Sequence, residues 1–376
     1  LKELFETGSF SFKYFYERRI RRIVPPILFV IIVSIIFSWI YLLPPYFTDY
    51  AKSIIYTIGF SSNFYFYNSG LEYGSLDGFF KPFLHTWSLS IEEQFYLIFP
   101  ISLFFIFKFY KKKLLTFFIT LIILSLLIAN FSSKNFPDVS FYFLHTRMWE
   151  LTSGSLLAYL EIKKGYRSQN NIMKIYMPYV GLILILHSFI FFYDEMFHPS
   201  IYTLSPVIGT CLIIWFADKR YFITKILSSK VFVSIGLISY SLYLWHYPIF
   251  VYERIIDISN GDTIKKIIFT FPLILILSIL SYFIVEKPAR DKKVNFKKLL
   301  TLIIIVSLSL LAFNYCVLSK EGFKSRSPKL LKTNFVYFPW DLLNNGNKEV
   351  CYNSDKKGCI FNYHPLETHV SKIKKI

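Results

Sequence analysis

The stretch from His85 to Pro100, HTWSLSIEEQFYLIFP, sets a histidine, a tryptophan and two adjacent carboxylates at the mouth of an otherwise apolar helix. An ionisable pair at the edge of a hydrocarbon span marks a functional site by default, because charge there is costly. Ser90 has the position of an N-cap and Glu93 that of its capping-box partner, so the pattern predicts a helix starting near Ile91 with both carboxylates in its first turn. Pro100 removes an intrahelical hydrogen bond and predicts a bend, closed by groups from neighbouring helices. The same stretch also reads as a capped helix whose Trp87 and His85 belong to an interfacial belt. That second reading accounts for Glu93 but not for Glu92, which adds only like-charge repulsion where solvation is poor.

Outward from this stretch the chain has the composition of a membrane protein. Of its 376 residues 54% are hydrophobic, with 42 Phe and 28 Tyr. Mean hydropathy is +0.44, and uncharged runs of about 18 or more residues recur. A soluble single core is excluded; the fold expected is an all-α, polytopic helical bundle. The formal net charge of +18 falls in Lys and Arg clusters between apolar runs, which is the pattern of cytoplasmic loops and not of a nucleic-acid surface. Alternating those clusters places spans at 27–43, 91–107, 114–131, 147–162, 172–192, 201–217, 231–252, 264–285 and 299–318, roughly nine in all. The aromatic piece 54–67 is expected to be re-entrant or interfacial, since only then do Lys111, Lys112 and Lys113 fall on the cytoplasmic side. Residues 1–318 then form the membrane domain and 319–376 an extracytoplasmic linker and tail. In that tail Cys351 and Cys359 close a short loop, where an oxidising compartment predicts a disulfide and free thiols are the competing reading. Cys211 and Cys316 lie in or beside apolar runs and behave there as small hydrophobes.

Several motifs together resemble the membrane-bound acyltransferase 3 family, bacterial proteins that acylate sugars of surface polysaccharides, lipopolysaccharide or peptidoglycan. They are FYERRIRRIVP at 15–25, HTWSLSIEEQFYLIFP at 85–100, TRMWELTSGSLLA from Thr146, YSLYLWHYPIF at 240–250 and FIVEKPAR at 283–290. Their order over about residues 10–290 is that of the family, which makes the match specific. The resemblance implies a multi-pass protein of the bacterial inner membrane, with acetyl-CoA or another acyl-CoA as donor and a cell-surface glycan as acceptor, embedded among membrane lipids. It also implies that this chain corresponds to the family pattern without its first two helices, one of which carries an arginine and, eleven positions on, the histidine that serves as catalytic base. No GDS motif of the family's hydrolase-like extension occurs in the chain. The chain therefore reads as a piece of a longer acyltransferase. Two rival readings stand beside it: a transporter or flippase for a lipid-linked sugar, since intramembrane charges and broken helices also serve permeation, and an inactive remnant.

Acyl transfer to a hydroxyl needs a base for its proton, donors for the developing oxyanion, and a grip on the carrier. Arg19 and Arg22 match the family's paired arginines; three apart, they share a helical face and can clamp a carrier phosphate. Arg18 and Arg21 form a second pair one step round, and the whole cluster reads equally as a positive-inside anchor. His85, polarised by Glu92 or Glu93, is a candidate base and equally an interfacial histidine. His246, just before Pro248, reads as a structural or pocket-lining group, with Trp87, Ser88 and Tyr243 lining the same pocket. Arg147 and Glu150, three apart at a span's start, neutralise each other or line the pocket. Glu286 stands out at a basic helix end before Pro288 and is expected to bond an arginine. The remaining histidines have no partner pattern, and no pair has zinc-ligand spacing, so no metal is expected.

Overall fold

The computed structural model describes residues 1–70, 78–193, 196–256, 264 and 266–326, all within one compact unit, Leu1–Thr333. Cys351, Cys359 and the tail from 327 lie outside the described residues.

Among the described residues every regular element is helical. In order they are α1 (Lys2–Thr7), α2 (Phe12–Tyr41), α3 (Pro44–Ile58), α4 (Ser62–Asn68), α5 (Thr86–Tyr110), α6 (Leu114–Asn135), α7 (Pro137–Tyr142), α8 (Leu144–Lys164), α9 (Asn171–Phe191), α10 (Leu204–Phe216), α11 (Phe222–Leu227), α12 (Lys230–Ile256), α13 (Ile267–Arg290) and α14 (Phe296–Ser319). Helices stand at all nine expected span positions. Among the described residues five helical stretches are long and apolar enough to cross a membrane: α2, α5 together with α6, α9, α13 and α14. The chain is thus an all-α polytopic membrane protein. The α12 sequence, SYSLYLWHYP at 239–248, lowers its apolarity with Ser, Tyr and His. Those side chains turn out to line the site.

Two packed cores hold the bundle. One joins α2, α3, α12 and α14 around Ile27, Ile31, Phe47, Ile54, Leu244 and Val317. The other joins α5, α6, α8 and the short α1 around Phe95, Phe99, Phe107, Phe118 and Tyr159. Between helices in lipid, close packing rather than hydrophobic transfer supplies the attraction, which explains why small residues set the tightest approach. Gly181 of α9 and Gly209 of α10 meet so closely that a Cβ on either would lie 2.6 Å from the other's carbonyl oxygen.

Several expected boundaries move. The first span does not begin at Ile27: α2 starts at Phe12 and runs 30 residues through Pro25 and Pro26, so the basic run is helical and continuous with the span. The piece 54–67 is not one helix, because the chain breaks between α3 and α4 at 59–61, and neither helix is long enough to span. Most consequential, α5 starts at Thr86 and not at Ile91. Ser90 is therefore no N-cap of its own helix, no capping box forms with Glu93, and the two carboxylates lie beyond the first turn. The reason is that Ser90 faces a neighbour. Its Oγ accepts from the Ser62 N–H at 3.2 Å, pairs with Ser62 Oγ at 2.8 Å and donates to the Thr86 carbonyl. In effect Ser90 satisfies an otherwise orphaned amide of the first turn of α4, which a helix start leaves without an intrahelical partner.

The prolines behave as local hydrogen-bond chemistry requires. Pro100 lies inside α5 and leaves the Tyr96 carbonyl without its i+4 donor; the Tyr16 hydroxyl from α2 donates to it at 3.3 Å. Pro288 does not end its helix, contrary to expectation. A π-turn at Tyr282–Glu286 precedes it and places it early in the closing turn Lys287–Arg290, where a missing N–H costs little.

Candidate active site

Two antiparallel helices, α5 and α12, present matching polar stripes. His85, Ser88 and Glu92 stand three and four apart at the start of α5, and Tyr240, Tyr243 and Tyr247 repeat that spacing on α12, so each set occupies one helical face. The pairings run in opposite directions. Tyr247 stacks on His85 with ring centroids 5.4 Å apart; Tyr243 packs edge-on against His85 at 5.1 Å. The Tyr243 hydroxyl bonds the His85 carbonyl and pairs with Ser88 Oγ at 2.9 Å. Deeper along the seam Tyr240 lies within electrostatic reach of Glu92 and Glu93, and its hydroxyl donates to the Ile23 carbonyl of α2 at 2.9 Å.

At the His85 end of the seam two imidazoles face each other, His85 and His246, with centroids 5.3 Å apart and planes near perpendicular. His246 Nδ1 lies 2.6 Å from the Tyr243 carbonyl, so that nitrogen donates and the neutral ring keeps its lone pair on Nε2. His85 is buried, and among the described residues neither of its ring nitrogens meets a partner at good hydrogen-bonding geometry. A buried, under-bonded imidazole is an uncommon expense, and such groups concentrate where chemistry occurs.

The opposite end of the seam is ionic. Arg19 of α2 lies over the Tyr96 ring at 3.5 Å and within electrostatic reach of Glu92 and Glu93, while Arg22 reaches Glu92 and, on α13, Glu286. Among the described residues neither Arg19 nor Arg22 has a carboxylate at salt-bridge contact. Glu93 Oε1 is buried without a hydrogen-bond partner, whereas Glu92 and Arg22 are exposed. Arg21 is different, although only two residues from Arg19. Its Nε donates to Glu17 at 2.9 Å, and its Nη atoms donate to the carbonyls of Ala289, Asp291 and Val294. Arg21 therefore fastens the loop after α13 to α2. Every guanidinium nitrogen is occupied, which leaves no free fork for a ligand.

The structure brings together His85, Ser88, Glu92, Glu93, Tyr243, His246, Arg19 and Arg22 along one seam. Trp87, Arg147 and Glu150 sit on another side of α5. There Arg147 lies over the Trp87 ring at 4.7 Å and the Phe141 ring at 5.0 Å, donates to the Phe141 carbonyl, and stands 3.9 Å from Glu150. Trp87 is buried. This second cluster binds α7 and α8 to α5 and lies apart from the imidazoles.

Sequence reasoning missed Tyr240, Tyr247, Gln94 and Asn63. The first two carried a signal in the Tyr spacing of α12. Asn63 and Gln94 form a reciprocal amide pair, Gln94 Nε2 donating to Asn63 Oδ1 at 2.9 Å, and with Thr57, Ser62, Thr86 and Ser90 they fill the break between α3 and α4. Nothing in their spacing announces that contact.

The acyltransferase domain model of the acyltransferase 3 family matches residues 5–286. An O-acetyltransferase OatA of Staphylococcus aureus is 28% identical over 303 residues, covering 78% of this chain and 50% of that protein. A peptidoglycan O-acetyltransferase OatA of Listeria monocytogenes is 29% identical over 293 residues, 75% of this chain and 47% of that protein. An uncharacterized protein of Haemophilus influenzae is 37% identical over 221 residues, 56% of this chain and 88% of that protein. The chain spans about half the length of the O-acetyltransferases it matches. No solved structure matches it.

Proposed function

The chain belongs to the acyltransferase 3 family, and from that premise we propose that it moves a small acyl group, acetyl first among them, from cytoplasmic acyl-CoA to a hydroxyl of an extracytoplasmic glycan. The observation that carries this reading is the seam itself: arginines of α2 at one end and the imidazoles of His85 and His246 at the other, along the facing stripes of α5 and α12. Support for a glycan acceptor comes from the Listeria relative, whose name specifies peptidoglycan.

On this reading the phosphates of the carrier meet Arg19 and Arg22, whose guanidinium forks bind phosphate in two parallel hydrogen bonds. The Tyr96 ring under Arg19 fixes the plane of one fork. At the outer end an acceptor hydroxyl gives its proton to an imidazole of the His85–His246 pair as its oxygen attacks the acyl carbonyl. The carbon–sulfur bond breaks, and the thiol leaves with a proton. Glu92 and Glu93 balance the arginine charges while the site is empty. Tyr243, held against the His85 carbonyl and Ser88, keeps the imidazole in register. Acetyl-CoA acts here as a substrate.

The test is transfer of label from radiolabelled acetyl-CoA to cell-surface glycan in membranes containing the protein, its Arg19→Ala variant and its His246→Ala variant. Label that depends on both residues is the expected result. Absence of label from the parent, with altered export of a lipid-linked sugar, would replace this reading with the transporter.

A further inference from the structure

His85 is buried, and among the described residues no hydrogen bond of good geometry turns its ring. Its orientation therefore comes from the rings packed against it and from where its backbone is set. Of those rings Tyr247 lies nearest to parallel, with centroids 5.4 Å apart and planes at 26°. The same ring stands almost perpendicular to His246, at 6.0 Å and 83°. Tyr247 thus touches both members of the imidazole pair. A tyrosine held only at its Cα can change rotamer, but this one is fixed at both ends. Its hydroxyl donates to the Gly78 carbonyl at 2.9 Å.

Gly78 opens the described segment 78–85, which leads directly into His85, and that segment has tethers of its own. Lys81 Nζ stands 2.9 Å from Asp49 Oδ2 of α3, and the Tyr65 hydroxyl of α4 donates to the other carboxylate oxygen. The side chains of Lys81 and Asp49 are only 21% and 35% exposed, so solvent screens their attraction less than it screens a surface pair. Phe83 is buried edge-on against Tyr50 of α3 at 5.8 Å, and its ring lies 6.1 Å from that of His85. These contacts act in series: α3 holds the segment through Asp49, the segment holds the Tyr247 hydroxyl through Gly78, and the Tyr247 ring holds His85. We propose that Tyr247 is a positioning residue for the imidazole pair, and that the Asp49–Lys81 ion pair acts through it by fixing the Gly78 carbonyl. This rests on the reading of that pair as the base for the acceptor hydroxyl.

Positioning, donor contact and plain packing predict different kinetics. A residue that orients the base lowers kcat and leaves KM in place, and one that binds the donor raises KM. One that only packs lowers stability and leaves the kinetics of the folded protein alone. The experiment measures kcat and KM for acetyl-CoA by transfer of label to cell-surface glycan in membranes, alongside the thermal midpoint of each variant in detergent. Tyr247→Phe keeps the stacked ring and loses only the hydroxyl. The expected result is kcat down roughly tenfold, the scale of one lost hydrogen bond, with KM for acetyl-CoA within about twofold of the parent. Lys81→Met, which removes the ion pair at similar side-chain length, lowers kcat in the same direction, and Lys81→Arg, which keeps the charge, stays near the parent. With Lys81→Met in place, adding Tyr247→Phe costs nothing further, since the hydroxyl has already lost its fixed acceptor. Tyr247→Phe is the mildest of these changes and serves where Lys81→Met fails to fold. A parent-like kcat in folded Tyr247→Phe, a change confined to KM, or Tyr247→Phe and Lys81→Met effects that multiply overturns the positioning role and leaves the acyl-CoA reading intact. A parent protein that transfers no label overturns both.

Discussion

Arg19 and Arg21 stand two residues apart in one basic run, yet the structure gives them separable jobs that Arg→Lys changes at unchanged charge can expose. Arg21 makes four hydrogen bonds, one to Glu17 and three to the carbonyls of Ala289, Asp291 and Val294, and it is buried. A lysine ammonium at the end of a single stem cannot span those acceptors and forfeits at least two of the four bonds. Each lost bond is worth about 1 kcal/mol, and each carbonyl left buried and unpaired adds to the cost, so Arg21→Lys should destabilise by about 2–4 kcal/mol. Arg19 makes no salt bridge among the described residues, and its strongest contact is the Tyr96 face at 3.5 Å, worth about 1 kcal/mol and partly kept by lysine. Arg19→Lys should therefore leave stability within about 1 kcal/mol of the parent. Its cost should appear in the donor: loss of a two-pronged phosphate contact raises KM for acetyl-CoA on the order of tenfold or more. The assays are the thermal midpoint in detergent and initial transfer rates over a range of acetyl-CoA concentrations. The reasoning is refuted if Arg19→Lys lowers the midpoint as much as Arg21→Lys does, or if it leaves KM for acetyl-CoA where it was. A membrane anchor, which needs only positive charge, predicts that last result.

Tyr243→Phe removes the hydroxyl that spans from α12 to the His85 carbonyl and Ser88; a loss of about 1–2 kcal/mol in orienting the imidazole predicts kcat down roughly tenfold with KM for acetyl-CoA little changed, and kinetics that move KM instead would place Tyr243 in the donor site. Gly209→Val puts a side chain where a Cβ alone meets the Gly181 carbonyl at 2.6 Å and the Ile185 and Leu184 side chains at 3.0 and 3.1 Å; about 1–3 kcal/mol of overpacking should separate α9 from α10 and abolish disulfide cross-linking between cysteines introduced across that pair, which a retained cross-link would contradict.

The fold was legible because its governing signal is repeated. Apolar runs recur with basic clusters between them, and helices stand where those runs are. The boundaries were less legible, for reasons visible at single residues. Ser90 followed by Glu93 has the spacing of a capping box, but local spacing cannot reveal that Ser62 from α4 would claim the Ser90 hydroxyl and that α5 would begin a turn earlier. Pro288 before a basic cluster reads as a stop, but a π-turn upstream shifts the register and lets the helix continue. The site was half legible. Glu92, Glu93, His85, Arg19 and Arg22 stand out as single residues, whereas their assembly does not, since it depends on Tyr240, Tyr243 and Tyr247 arriving from about 150 positions away. Trp87 and Arg147 illustrate the converse: both carry site-like chemistry, and their mutual contact takes them out of the seam.

The proximity of the basic run of α2 to the carboxylates of α5 is the feature that sequence alone does not place. A basic cluster ahead of the first apolar run belongs at the membrane surface by the positive-inside rule, and carboxylates at the start of α5 belong at the opposite surface. Arg19 and Tyr96 are in contact, so those two placements do not hold together. Tyr96 stands fourteen residues from the Tyr110 end of α5, about 21 Å along the helix, and eleven residues from His85, about 16 Å. Arg22 and Glu92 are exposed, and charged side chains within a span as a rule face a hydrated crevice or a protein partner, not hydrocarbon. On the proposed reading a donor entering from the Tyr110 side reaches more than halfway along α5 before its phosphates are held. The acyl group then has only the remaining stretch, lined by Tyr240, Ser88 and Tyr243, to cover before it meets His85 and His246. The problem of acylating a sugar on one side of a membrane from a carrier on the other thus reduces to the length of a polar seam between two helices, and α12 carries its Ser, Tyr and His residues, at the cost of apolarity, to build that seam.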